Sequence, residues 1–267
     1  MKEFWRWVFI VLMTVAVMAP LLVQIVWSFA FRWHFPDLLP GEWGLNAWRY
    51  VFSDASRVGE ALVNSMSIAL VVSLLSIAVG LPAARALALD DFPGKGAIEW
   101  LLLIPILVPG VVTTMGIHIA FIRLRLADTY LGVVLIHLIP CIPYMILVMT
   151  SVFASYDTAL EDTARTLGAS AVRTFWHVTL PAIFPGLLVA TLFTFLISWS
   201  QYVTTLLIGG GRIITLPMIL FPFISGSNNA TAAAISLIFV APALLALVFT
   251  SHSLAKEPSI LGGFGRM

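Results

Sequence analysis

Six long apolar runs alternate with short polar segments along the 267-residue chain, and their lengths suit membrane spans better than buried soluble helices. The first run, residues 8–31, would be about 36 Å long as a helix rising 1.5 Å per residue, enough to cross a bilayer. It is too long for the apolar region of a signal peptide and lacks a convincing A-x-A cleavage site, so it is expected to persist as a span, kinked at Pro20. The stretch from Arg32 to Glu60 carries Trp33, Trp43, Trp48 and Tyr50, side chains that favour the membrane interface. A short interfacial helix is expected around Leu45 to Phe52. Further spans are expected at 61–87, 97–122, 130–153, 182–208 and 230–253. The third carries Pro105, Pro109 and Gly110, breakers that suit a bent helix packed in a bundle and lining a cavity. A Gly-rich outer segment is expected between the last two spans. The expected fold is therefore all-α, one membrane domain over residues 1–267 made of six transmembrane helices and a short cytoplasmic coupling helix.

Composition agrees: 60% hydrophobic against 10% charged residues excludes an ordinary soluble protein. A formal net charge of +1 offers no basis for binding nucleic acid. The only cysteine, Cys141, lies in an apolar run, so an intrachain disulfide is impossible. With six spans both termini share a side, and making that side cytoplasmic places eight Lys and Arg residues inside and six outside, a weak bias of the expected sign.

One polar stretch, residues 156–181, interrupts the apolar pattern. Thr158 followed by Glu161 has capping-box spacing, Leu160, Ala164 and Leu167 recur at helical spacing, and Glu161 and Arg165 form an i, i+4 pair. These features predict a short amphipathic helix ended at Gly168. Ser170 is placed to cap a second short helix, and Pro181 stands where the next span begins.

Within this stretch Asp162-Thr163-Ala164, three residues, Gly168, nine residues and Val178-Thr179-Leu180-Pro181 resemble the EAA loop of ABC-importer permeases, E-A-A-x3-G-x9-I-x-L-P. Asp162, Thr163 and Val178 depart from it; the spacing does not. The resemblance implies a permease subunit of the bacterial inner membrane with both termini cytoplasmic and no chemistry of its own. Its expected partners are two cytoplasmic ATPase subunits that hold ATP and Mg, a second permease and an extracytoplasmic solute-binding protein. Leu160, Glu161, Asp162, Thr163, Ala164, Arg165, Leu167 and Gly168 would dock on an ATPase, with Leu180 and Pro181 fixing the exit into span five. The order of spans is most similar to the spermidine/putrescine subgroup, with relatives for phosphonates, thiamine and ferric ion. That subgroup commonly places acidic residues where Ser200 and Gln201 stand here, so a polycation is poorly served.

Span five also carries Ser198, Ser200, Gln201, Thr204 and Thr205 at membrane depth, either lining a solute path or bonding neighbouring helices. The polar break Pro109, Gly110, Thr113 and Thr114 is the next candidate for that path. Single histidines such as His118, His137, His177 and His252 are expected to be satisfied by backbone carbonyls. Gly209-Gly210-Gly211 lacks the Lys and helix start of a phosphate cradle and reads as a flexible outer turn. A self-sufficient secondary transporter or channel without ATPase partners is the rival class; it would be expected to show intramembrane charges or inverted repeats, neither of which is clear here.

Overall fold

The computed structural model describes residues 2–31, 33 and 40–255. Arg32, Lys256 and Arg266, which enter the charge bias above, lie outside the described residues. The described residues of 1–64 and 214–243 form one compact unit, and those of 65–213 and 244–267 form another.

In the first unit, helix α1 (Lys2–Phe29) runs through Pro20 and leads into a two-residue antiparallel ribbon, β1 (Ala30–Phe31) paired with β2 (Glu42–Trp43). The interfacial helix forms as α2 (Asn46–Val51). None of the apolar window of α1 is buried, which suits a helix surrounded by lipid or by another subunit. Helix α3 (Val58–Leu89) begins in this unit, where Asn64 Nδ2 donates to the Ile214 carbonyl at 3.0 Å.

The expected third span is two helices, α4 (Lys95–Leu107) and α5 (Gly110–Arg123), meeting at 100°. Proline explains the break: Pro109 has no N–H to continue a helix and forces the preceding Val108 out of the α region, to φ −82°, ψ 128°. Helix α6 (Tyr130–Ala154) keeps going through Pro140 and Pro143, and Thr129 caps it by accepting from the Gly132 N–H at 3.0 Å.

After α7 (Ala159–Thr166) and the short α8 (Ala171–Thr174), a π turn (Phe175–Thr179) feeds α9 (Leu180–Trp199). The fifth span is also broken, a second departure from expectation: α9 stops at Trp199 and α10 (Val203–Gly209) restarts after three residues. Ser200 Oγ donates back to the Ile197 carbonyl and the Gln201 N–H to that of Ser198, local bonds that compete with helix continuation. The outer segment expected as loop contains α11 (Leu216–Ser225), started by Pro217. It was hidden by the glycines on either side of it. Helix α12 (Asn229–Ala255) ends the described chain. Among the described residues, five helices are long and apolar enough to cross a membrane, six if α4 and α5 count as one broken span.

The second unit is built on α6. Met145, Met149 and Phe153 pack with Leu81, Ala84 and Leu87 of α3 and Ile183 and Ala190 of α9. Higher on the same helix, Val133, Ile136 and Cys141 pack with Ile68, Val72, Phe121 and Ile208. Between membrane helices such contacts gain by close fit, since lipid tails are as apolar as leucine. The fit between α6 and α9 is close at Gly186, where an added Cβ would lie 2.4 Å from Val152 Cγ2. Gly186→Ala is therefore expected to destabilise the purified protein by about 1–3 kcal/mol, the usual cost of overpacking, because the β-branched Val152 has little freedom to move. Adding Val152→Ala should restore most of the thermal midpoint in detergent; an unchanged midpoint in the single variant would show that α6 and α9 do not depend on this approach.

Candidate functional site

The polar loop is fixed to the second unit through one buried carboxylate. Glu161 is only 5% exposed, yet it stands in an otherwise solvated helix. Arg85, near the end of α3, grips it with two parallel bonds, Nη1 to Oε1 and Nη2 to Oε2, each 2.8 Å. Thr179, in the π turn, donates to Oε1 at 2.7 Å, and Arg165 approaches Oε2 at 3.6 Å. The bidentate form and the third donor together satisfy a charge that burial alone would disfavour. Arg85 holds the Glu161 carboxyl below its ordinary range against the opposing effect of burial, with Thr179 adding to the depression. The neighbouring Tyr156 phenol is pushed up by burial.

This arrangement overturns the expected capping box. Thr158 has helical backbone angles and makes no side-chain cap; Asp157 Oδ1 instead accepts from the Ala159 N–H at 3.0 Å. Glu161 turns away to meet Arg85 rather than folding back on the helix start. Its predicted partner Arg165 is present but secondary. Nothing local pointed to Arg85, 76 residues away, or gave Thr179 a role beyond its place in the motif.

The end of α7 follows the sequence closely. Gly168 adopts φ +88°, its N–H bonds the Arg165 carbonyl at 2.9 Å and the Ala169 N–H bonds that of Ala164 at 3.0 Å, the pairing of a Schellman turn. Ser170 then caps α8 by accepting from the Arg173 N–H at 3.4 Å. Leu167 is left 84% exposed, and Leu160, Val172 and Trp176 are exposed around it. Asp162, Thr163 and Arg165 are exposed, Ala164 is half-buried, and Leu180 and Pro181 open α9.

A second feature lies where the helices break. A cavity of about 450 Å³ is lined by the α4–α5 junction, by α6 through Pro140 and Tyr144, and by Ser200, Gln201 and Thr204 at the α9–α10 junction. Pro109, Gly110, Thr113 and Thr114 line the same space, so the two polar stretches weighed separately in the sequence meet in one place. Ser198 and Thr205 do not line it. Both bond the buried His137 of α6, Ser198 Oγ to Nδ1 and Thr205 Oγ1 to Nε2, at 2.9 Å each. The expected carbonyl partner is thus replaced by two hydroxyls, because the break turns α9 and α10 past opposite edges of the ring. His177 does meet a carbonyl, that of Arg173 at 3.0 Å.

Apolar spans broken around a cavity, with an amphipathic loop clamped at one end, define a multi-pass membrane protein of the transport type. The chain belongs to the family of binding-protein-dependent transport system inner membrane components, whose model matches residues 1–255. The molybdate/tungstate transport system permease protein WtpB of Thermococcus kodakarensis is 33% identical over 145 residues, covering 54% of this chain and 57% of that protein. The chain thus spans little more than half the length of that relative. The molybdenum transport system permease protein ModB of Escherichia coli K12 is 28% identical over 209 residues, covering 72% of this chain and 91% of ModB. Among solved structures, a bacterial ABC transporter involved in the import of the acidic polysaccharide alginate has the same fold, with a TM-score of 0.73 and 17% identity over 97% of this chain and 96% of that one. The resemblance to ABC-importer permeases holds. The narrower likeness to the spermidine/putrescine subgroup finds no support, since both sequence relatives carry molybdenum or tungsten names.

The clamp predicts an acid dependence. Because the Glu161 carboxyl is depressed in the folded protein, its stabilising effect is fully present above the ordinary carboxylate range and is lost as pH falls through the lowered value. Protection factors of the α7 amides against hydrogen exchange should fall in that acidic window in the native protein, whereas in Glu161→Gln the same amides should show no such step. Arg85→Ala, which strands the carboxylate, should cost about 1–3 kcal/mol, below the full buried-pair value because the Arg85 side chain is 36% exposed.

Proposed function

We propose that this chain is the permease subunit of an ATP-driven importer and that the loop around α7 is the element on which a cytoplasmic ATPase acts. The observation that carries the reading is the exposed Leu167 at the tip of a rigid Schellman turn, on a helix whose opposite side is bound by charge to α3 and to the foot of α9. An apolar side chain so exposed suits a groove on a partner, and the clamp would pass displacement of α7 to both membrane helices at once. Two ATPase subunits would supply ATP and Mg, a second permease would complete the passage, and an extracytoplasmic binding protein would deliver the solute. Both termini would lie in the cytoplasm. The relatives support a small oxyanion of the molybdate or tungstate type as that solute. Ser200, Gln201 and Thr204 would line its path; Ser198 and Thr205 would hold the helices around it.

Leu167→Asp leaves the fold untouched and should abolish co-purification of the ATPase with this subunit. Gly168→Val should lower uptake sharply while membrane insertion persists, because a β-branched residue at φ +88° is strained by about 1 kcal/mol or more although nothing crowds the site. Gly168→Asn, which tolerates that conformation, should retain more uptake. Wild-type uptake and ATPase retention in both Leu167→Asp and Gly168→Val would remove α7 from the coupling route.

A further inference from the structure

Among the described residues, none that lines the cavity at the two helix breaks is charged. Most of its hydroxyls are committed elsewhere: Thr114 Oγ1 donates to the Gly110 carbonyl at 2.6 Å, Ser200 Oγ to that of Ile197, and Thr204 Oγ1 to the side-chain oxygen of Gln201. That last bond occupies the acceptor end of the Gln201 amide. Its donor end, Nε2, is buried and has no partner, an unmade bond that proteins seldom tolerate without a purpose. The Gln201 backbone is meanwhile held by Thr205 Oγ1, which donates to its carbonyl at 3.0 Å and itself bonds His137. The amide is therefore anchored on its chain side and free only at its N–H2. Gly110, at the start of α5, and the hydroxyl-bearing Thr113 and Tyr144 line the same space.

A dehydrated cation in this space would find hydroxyls and the last carbonyls of α4, but no carboxylate to offset its desolvation. An anion rich in oxygen would find the unpaired amide of Gln201 and no opposing carboxylate. We infer that this cavity is a selectivity site for a small oxyanion and that the side-chain amide of Gln201 is its specificity-determining donor. The inference rests on the importer reading and names the contact that discriminates within it.

The test uses the assembled transporter in proteoliposomes, with Cys141→Ser removing the only native thiol of this chain and Ser200→Cys placing one in the cavity wall. Labelling of this subunit, read by mass spectrometry, is compared for two methanethiosulfonates of similar size, one bearing a sulfonate and the other a trimethylammonium group. The ratio of sulfonate to ammonium rates should exceed that of a small free thiol by about tenfold, the scale of one hydrogen bond to a charged group. Gln201→Leu should bring the ratio back to the free-thiol value, and the isosteric Gln201→Glu should invert it, with gel filtration and ATP hydrolysis reporting that each assembly is intact. A ratio at or below the free-thiol value, a ratio unmoved by both substitutions, or no labelling by either reagent in any nucleotide state would overturn the inference. Molybdate uptake by the unaltered assembly reports separately on the solute. If uptake is absent while the anion preference persists, the donor set stands and molybdate is removed as its ligand.

Discussion

The attachment of the α7 loop depends on placing a carboxylate where water scarcely reaches. Glu161 would be costly there if left alone, and the cost is met by a guanidinium from α3 and a hydroxyl from the turn below α9. Those partners come from segments far apart in sequence, so the same interaction that neutralises the charge also joins three elements. The buried side of α7 carries a charge, while its exposed side mixes Asp162, Thr163 and Arg165 with the apolar Leu160, so burial in this helix does not follow the usual amphipathic pattern.

The distance between those partners explains what the sequence revealed and what it concealed. The helix at Ala159–Thr166, its stop at Gly168 and the cap at Ser170 follow from residues within one or two turns of each other, and each was legible. The Thr158–Glu161 spacing had the same local appearance and misled, because a distant arginine offered Glu161 a stronger partner than a backbone N–H. The spans show the same division. Hydropathy located them, and Pro109 marked the first break, but the break without proline at Ser200–Tyr202 showed only as a cluster of polar residues, which an unbroken helix could equally carry. For α11 the error ran the other way: flanking glycines suggested loop where ten mostly apolar residues form a helix.

The two breaks have different causes and a common result. At Pro109 the backbone lacks a donor, and at Ser200 hydroxyl and amide groups form local bonds instead of helical ones. Each brings backbone and small polar side chains to a depth where an intact helix would present only apolar groups. His137 stands behind the second break and braces both of its ends, so polar groups are divided between a bracing side and an open side. The candidate path residues taken together from the sequence separate along that division.

The five-residue π turn at Phe175–Thr179 widens the backbone just where Thr179 reaches Glu161. A π turn behaves as an α-helix that has accepted one surplus residue without rotating what flanks it. Wound as regular α-helix at the same length, the segment would turn whatever lies on one side of it by about 100° against the other. Thr179 and the buried face of α9 could not then both keep their present directions. The widened turn is therefore what keeps the loop contact and the packing of an entire membrane helix in register with each other.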